Sequence, residues 1–179
     1  SSGKEEDMEK TERSEIISIL VSNEPGVTAR LGSLFARRGF NIDSFTASPT
    51  NDPKLTRITI ATTGDDRKFD QILTQTAKQE FVKTVDIMSR KSIYRELLLL
   101  KVKAGKKDRS QLMEIVEIYR GRIVDLSRKS MIIELTGSSE KIDGFMDMMS
   151  CYDLVDVCRT GVTGINRGDA GISDSSDDD

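Results

Sequence analysis

The feature that most constrains this chain is an internal repeat: one succession of hydrophobic patterns occurs twice, each time over about 75 residues. In the first copy, Ile16-Ile17-Ser18-Ile19-Leu20-Val21 is a short apolar, β-branched run that reads as a buried strand, and Ser22-Asn23-Glu24-Pro25-Gly26 ends it in a turn. Val27, Leu31, Leu34 and Phe35 then recur at helical spacing, and Gly39 supplies the stop. Residues 41–48 and 55–63 read as strands, with Ile58 and Ile60 alternating with Arg57 and Thr59, joined by the loop of residues 49–54. Asp65 and Asp66 can cap a second helix bearing Phe69, Ile72, Leu73 and Ala77, and residues 82–88 close the unit as a strand.

The second copy starts with a strand over 96–102 and a Lys/Gly break at 104–107. A helix carrying Leu112, Ile115, Val116 and Tyr119 ends at Gly121, and strands over 122–127 and 131–136 flank Arg128-Lys129. Gly137-Ser138-Ser139 opens a helix with Ile142, Phe145, Met146 and Met149 on one face, and residues 154–162 form the last strand. The expected fold is α+β: two ferredoxin-like βαββαβ domains, at 15–91 and 92–168, each an antiparallel sheet with both helices on one face. The other sheet face then needs cover from another domain or chain.

Composition narrows the chemistry. The 179 residues include no His and no Trp, which removes the commonest general acid/base, the Ser-His and Cys-His pairs and imidazole ligands, and leaves a core of Ile, Val, Leu and Met. Cys151 and Cys158 lack a CxxC pair and read as buried or half-buried thiols of a reducing compartment. The net charge of −3 conceals acidic ends: without residues 1–15 and 169–179, 24 basic against 19 acidic residues leave +5, dispersed and without a Lys/Arg block. Residues 1–14, opening with the tag-like Ser1-Ser2-Gly3, and the acidic tail 169–179 read as disordered. No run is long enough to span a membrane and no basic-then-apolar leader is visible, so a soluble protein of the bacterial cytoplasm is expected, a trimmed organellar form being the alternative.

The most informative segment is Asn23-Glu24-Pro25-Gly26-Val27. Pro25 presets φ near a helix start, Gly26 permits close approach to the backbone, and the first-turn amides lack intrahelical acceptors, so the junction reads either as an anion site or as a ligand-free turn. Together with Leu34-Phe35-Ala36-Arg37-Arg38-Gly39-Phe40-Asn41-Ile42-Asp43-Ser44, it resembles the ACT domain of the regulatory small subunit of acetolactate synthase, also called acetohydroxyacid synthase. Residues 94–102 (YRELLLLKV), 119–125 (YRGRIVD), Glu134-Leu135-Thr136-Gly137 and Arg159-Thr160-Gly161 are similar to that family's C-terminal domain.

The resemblance implies a non-catalytic chain without cofactors of its own. It would activate a catalytic subunit carrying thiamine diphosphate, Mg²⁺ and FAD, and confer feedback inhibition by L-valine in branched-chain amino-acid biosynthesis. It further implies a homodimer through ACT domains, with the effector held by Asn23, Gly26, Val27 and Thr28 of one chain and Asn41 and Ile42 of the other. Thr28 stands where relatives usually have Leu, and Phe45 and Ala47 replace a common Leu and Val. Arg37-Arg38 reads as a dipole complement or a contact to the catalytic subunit, and Met146, Met148 and Met149 as packing. Two rivals are an ACT-type sensor of another enzyme and an RNA-binding βαββαβ domain. The second lacks the strand aromatics on which bases stack, and neither nucleic acid nor membrane is an expected partner.

Overall fold

The computed structural model describes residues 11–169 and 171; the expected disorder of residues 1–10 and of most of the acidic tail lies outside them. The chain divides into two units after Met88. The first comprises β1 (Arg13–Ser22), α1 (Val27–Arg37), β2 (Ile42–Pro49), β3 (Leu55–Gly64), α2 (Asp66–Ala77) and β4 (Val82–Ile87). Its antiparallel sheet has the order β2-β3-β1-β4, the split-βαβ arrangement the pattern predicts. β1 begins at Arg13, which pairs with Gly64, three residues before the strand start expected at Ile16 and inside the stretch 1–14 expected to be disordered.

Alternation along the central strands explains the layering. Ile17, Ile19 and Val21 of β1 and Ile58 and Ile60 of β3 point to one face, where they are wholly buried with Val27, Leu31 and Phe35 of α1 and Phe69 and Ile72 of α2. Phe40 sits between the two helix phenylalanines, edge-on to Phe35 at 5.9 Å and tilted against Phe69 at 6.0 Å. Asp65 starts α2 as the sequence indicates, its carboxylate accepting from the Lys68 amide at 2.8 Å.

The second unit, Ser89–Gly171, comprises β5 (Ile93–Lys103), α3 (Arg109–Ile118), β6 (Arg122–Leu126), β7 (Ser130–Gly137), α4 (Ser139–Met149), β8 (Leu154–Arg159) and β9 (Thr163–Ile165). The order β6-β7-β5-β8 repeats that of the first sheet, over a core of Leu98, Leu100, Val102, Leu112, Ile133, Ile142 and Phe145.

Three details differ from the sequence reading. The run 154–162 is not one strand: Thr160 breaks it by exchanging bonds with Leu97, its amide donating to the Leu97 carbonyl at 3.0 Å and its hydroxyl accepting from the Leu97 amide at 2.9 Å. β9 then pairs with the start of β5, Ile165 opposite Ile93. The stop expected at Gly121 falls earlier: α3 ends at Ile118 and Arg120 takes the left-handed conformation (φ 58°); the glycine is needed because a Cβ there would lie 3.1 Å from the Glu134 carbonyl oxygen and 3.3 Å from Val116. Cys151 and Cys158 are free thiols as expected but exposed, Cys151 in the turn after α4 and Cys158 on the edge strand β8, every residue of which faces solvent.

Candidate effector site at the β1–α1 junction

The end of β1 is held from two sides. The Ser22 amide donates to the Phe81 carbonyl at 2.8 Å and the Asn23 amide to the Lys54 carbonyl at 2.8 Å, which ties the junction to the β2–β3 loop and to the approach to β4. Asn23 reinforces the first tie: its side-chain nitrogen donates to the Pro53 carbonyl at 3.1 Å and its oxygen accepts from the Thr56 hydroxyl at 3.2 Å. Sequence reasoning had no access to Pro53 and Thr56, because a partner thirty or more positions away becomes visible only once the strands are in register. The Asn23 amide is thus first a clamp on the junction, with one N–H and one lone pair remaining for a ligand.

After the clamp the chain turns through Gly26 in the left-handed conformation (φ 83°), where a residue with Cβ is strained, although nothing lies within 4 Å of a Cβ built there. Gly26 is the N-cap of α1 and no side chain caps the helix. The first intrahelical bond runs from the Arg30 amide to the Gly26 carbonyl at 3.0 Å, and the Val27 amide reaches the Glu24 carbonyl only at 3.5 Å. α1 has no acidic residue in its first turn. Outward-pointing amides and the positive end of the helix dipole therefore face an open surface, and the arrangement suits a carboxylate. Val27 is buried beneath the turn, whereas Asn23, Gly26 and Thr28 are exposed.

Asn41 and Ile42 lie at the other end of the sheet. Ile42 pairs with Thr62, while Ser22, next to Asn23, pairs with Leu55, seven positions away along β3 and therefore about 23 Å distant. Asn41 is exposed; its backbone carbonyl accepts from the Thr62 hydroxyl at 2.6 Å and its side chain donates to Asp43 at 3.3 Å. Ile42 is half-buried against the core. One protomer thus brings Asn23, Gly26, Val27 and Thr28 together and holds Asn41 and Ile42 apart from them.

Residues 17–83 match the family described as the AHAS small subunit-like ACT domain, and residues 95–168 match the small subunit of acetolactate synthase. A probable acetolactate synthase small subunit of Archaeoglobus fulgidus is 42% identical over 152 residues, which cover 85% of this chain and 96% of that protein. The chain belongs to the acetolactate synthase small-subunit family. The isozyme 3 small subunit of Escherichia coli is 38% identical over 156 residues, covering 86% of this chain and 96% of its own. The crystal structure of the acetolactate synthase small subunit from Thermotoga maritima superposes with a TM-score of 0.81 at 37% identity, over 88% of this chain and 99% of that one.

Membership makes this a regulatory, non-catalytic subunit of branched-chain amino-acid biosynthesis, with a separate catalytic subunit as its partner. Among the described residues no cluster of His, Cys, Asp or Glu could hold a metal, and no helix is long and apolar enough to cross a membrane.

Proposed function

We propose that this small subunit activates its catalytic subunit and makes it sensitive to L-valine, bound between the ACT domains of two copies of the chain. The observation that carries the reading is the uncapped start of α1 behind a left-handed glycine, at a junction anchored by Asn23. The valine carboxylate takes the free amides near Gly26, including that of Val27, whose side chain is buried beneath the turn; the remaining valence of Asn23 meets the amino group, and Ile42 of the other chain forms the apolar wall. Thr28, at the first turn, borders the ligand.

The separation of Asn41 from Asn23 supports a site shared between chains. β2 is an edge strand, and two β2 edges joined antiparallel about a two-fold axis bring the start of one β2 to the end of the other sheet where the α1 junction lies. Valine then favours one arrangement of the dimer only through its different affinity for the two, and a coupling of about 1–3 kcal/mol suffices for useful control. We further infer ACT and C-terminal domains spanning 15–91 and 92–168, a cytoplasmic setting, and a partner subunit that carries thiamine diphosphate, Mg²⁺ and FAD and performs all the chemistry.

Calorimetric titration with L-valine tests the reading. Gly26→Asp is the informative variant: Asp is among the residues with Cβ least strained in the left-handed conformation, meets no neighbour, and places a carboxylate against the amides the ligand needs. Saturable binding by the wild type and none by Gly26→Asp is expected. Equal binding by both refutes the site, and no binding by the wild type, even with the catalytic subunit present, refutes valine as the effector.

A further inference from the structure

Of the four helices among the described residues, α1 is the one with basic residues and no acidic ones. It carries Arg30 and Arg37, with Arg38 just beyond, whereas α2 balances Asp66 and Asp70 with Arg67 and Lys68, and α3 and α4 each hold more carboxylates than cations. Arg30, Ser33 and Arg37 recur at i, i+3 and i+7 and share one face. With Ala29, Leu34 and, across a gap, Gln79, they line an open cleft of about 410 Å³.

Its charge is arranged and largely unneutralised. The Arg30 guanidinium stacks 4.7 Å from the centroid of the buried Phe81 ring, which fixes it at the cleft wall. The nearest carboxylate, Glu80, is 3.8 Å away and strongly exposed, so this pair is weak. Arg37 and Arg38 have no ion-pair partner among the described residues. No exposed aromatic lines the cleft, which leaves a nucleotide base nothing to stack on. The shallow wall of guanidinium, hydroxyl and amide groups instead fits a protein surface presenting carboxylates.

Position adds the mechanism. Gln79 and Phe81 precede β4, the sheet edge opposite β2, so the cleft stays clear of the edge assigned above to dimerisation. α1 is locked to the core by Leu31, Leu34 and Phe35, and begins at Gly26. A ligand that moves the junction therefore moves the helix as a body, and Arg30 stands one turn from that ligand.

We propose that the α1 face formed by Arg30, Ser33, Arg37 and Gln79 docks a carboxylate-bearing surface of the catalytic subunit, and that α1 transmits effector occupancy to this contact. The proposal rests on the regulatory reading above and names the surface through which it acts.

The test is activation of the catalytic subunit by wild type, Arg37→Glu, Arg30→Glu/Arg37→Glu and Arg37→Lys, with valine binding measured in parallel. Arg37→Glu keeps the Phe81 stack intact, so it reports on charge without disturbing the fold. We expect valine binding as in the wild type, a rise of roughly tenfold or more in the concentration needed for half-activation by the double variant, a smaller rise for Arg37→Glu, and near-normal behaviour for Arg37→Lys. Wild-type activation should weaken with added salt while that of the double variant changes little. Unchanged half-activation in the double variant overturns the proposal. So does saturable binding of inorganic phosphate that the double variant loses while activating normally, which makes the cleft a small-anion site. A wild type that neither activates nor binds valine refutes the regulatory reading itself, an outcome distinct from both.

Discussion

Replacing Arg159 by Leu should cost the second unit far more than its position on an exposed edge strand suggests. One guanidinium nitrogen lies 2.9 Å from Glu96 and the other 2.6 Å from Asp143, so this side chain ties β8 to β5 and α4. The Glu96 side chain is only 6% exposed and that of Asp143 65%, so nearly all the energy resides in the first pair. Breaking a fully buried pair costs about 3–5 kcal/mol because one charge is left without a partner. Arg159 is itself 30% exposed and its space opens to water, which reduces the expected loss to roughly 2–3 kcal/mol. The hydrogen bond to Glu96 is the main reason the Arg159 pKa is raised above its ordinary value, with desolvation opposing it and Asp143 adding to it. For a unit of this size the loss corresponds to a fall in melting temperature of roughly 10–20 °C, measurable by calorimetry and localised by faster amide exchange in β5 and α4. Asp143→Asn should cost less than about 1 kcal/mol. The double variant Glu96→Leu/Arg159→Leu should recover most of the loss, since no buried charge remains. An Arg159→Leu melting point within a few degrees of wild type, or a double variant no better than the single one, refutes the reasoning.

Two further outcomes follow from local geometry. Gly121→Ala should destabilise the second unit by about 1–3 kcal/mol in urea unfolding, because the new Cβ meets a backbone oxygen that cannot move aside, while Arg120→Gly relieves the left-handed strain and should leave stability equal or slightly higher. Tyr152 has its pKa raised by burial first, then by Cys151 and Asp108; above pH 10 the unfolded chain releases this proton before the folded one does, so stability falls with rising pH there, and Tyr152→Phe should flatten that slope in denaturation midpoints.

The parts of the fold legible in the sequence were those set by local periodicity and by residues that act on their immediate neighbours. The stripe Val27, Leu31, Leu34, Phe35 faces the core, Asp65 caps α2 and Gly39 adopts the positive φ of a helix stop. The errors came where a distant strand decided the outcome. Val155 and Val157 alternate with Asp156 and Cys158 as on a strand with one buried face, yet both are exposed on the edge strand β8. Thr160 gave no local sign of ending β8, because its partner Leu97 is sixty-three residues away. In the candidate site, the glycine and the free helix start were readable from Pro25-Gly26, but the use of Asn23 as a clamp on Pro53 and Thr56 depends on register across β1 and β3. The separation of Asn41 from Asn23 likewise required the observed pairing of β2 with β3.

That separation permits a direct test of the shared effector site. Gly26→Asp and Asn41→Ala chains, each expected to bind no valine alone, are mixed under conditions that exchange protomers, and valine binding is measured by calorimetry. In a mixed dimer one site carries both substitutions and the other neither, so random mixing should restore one intact site in about half the dimers. Recovery of that fraction at wild-type affinity is the predicted result. No recovery despite demonstrated exchange contradicts a site built from the α1 junction of one chain and Asn41 of the other.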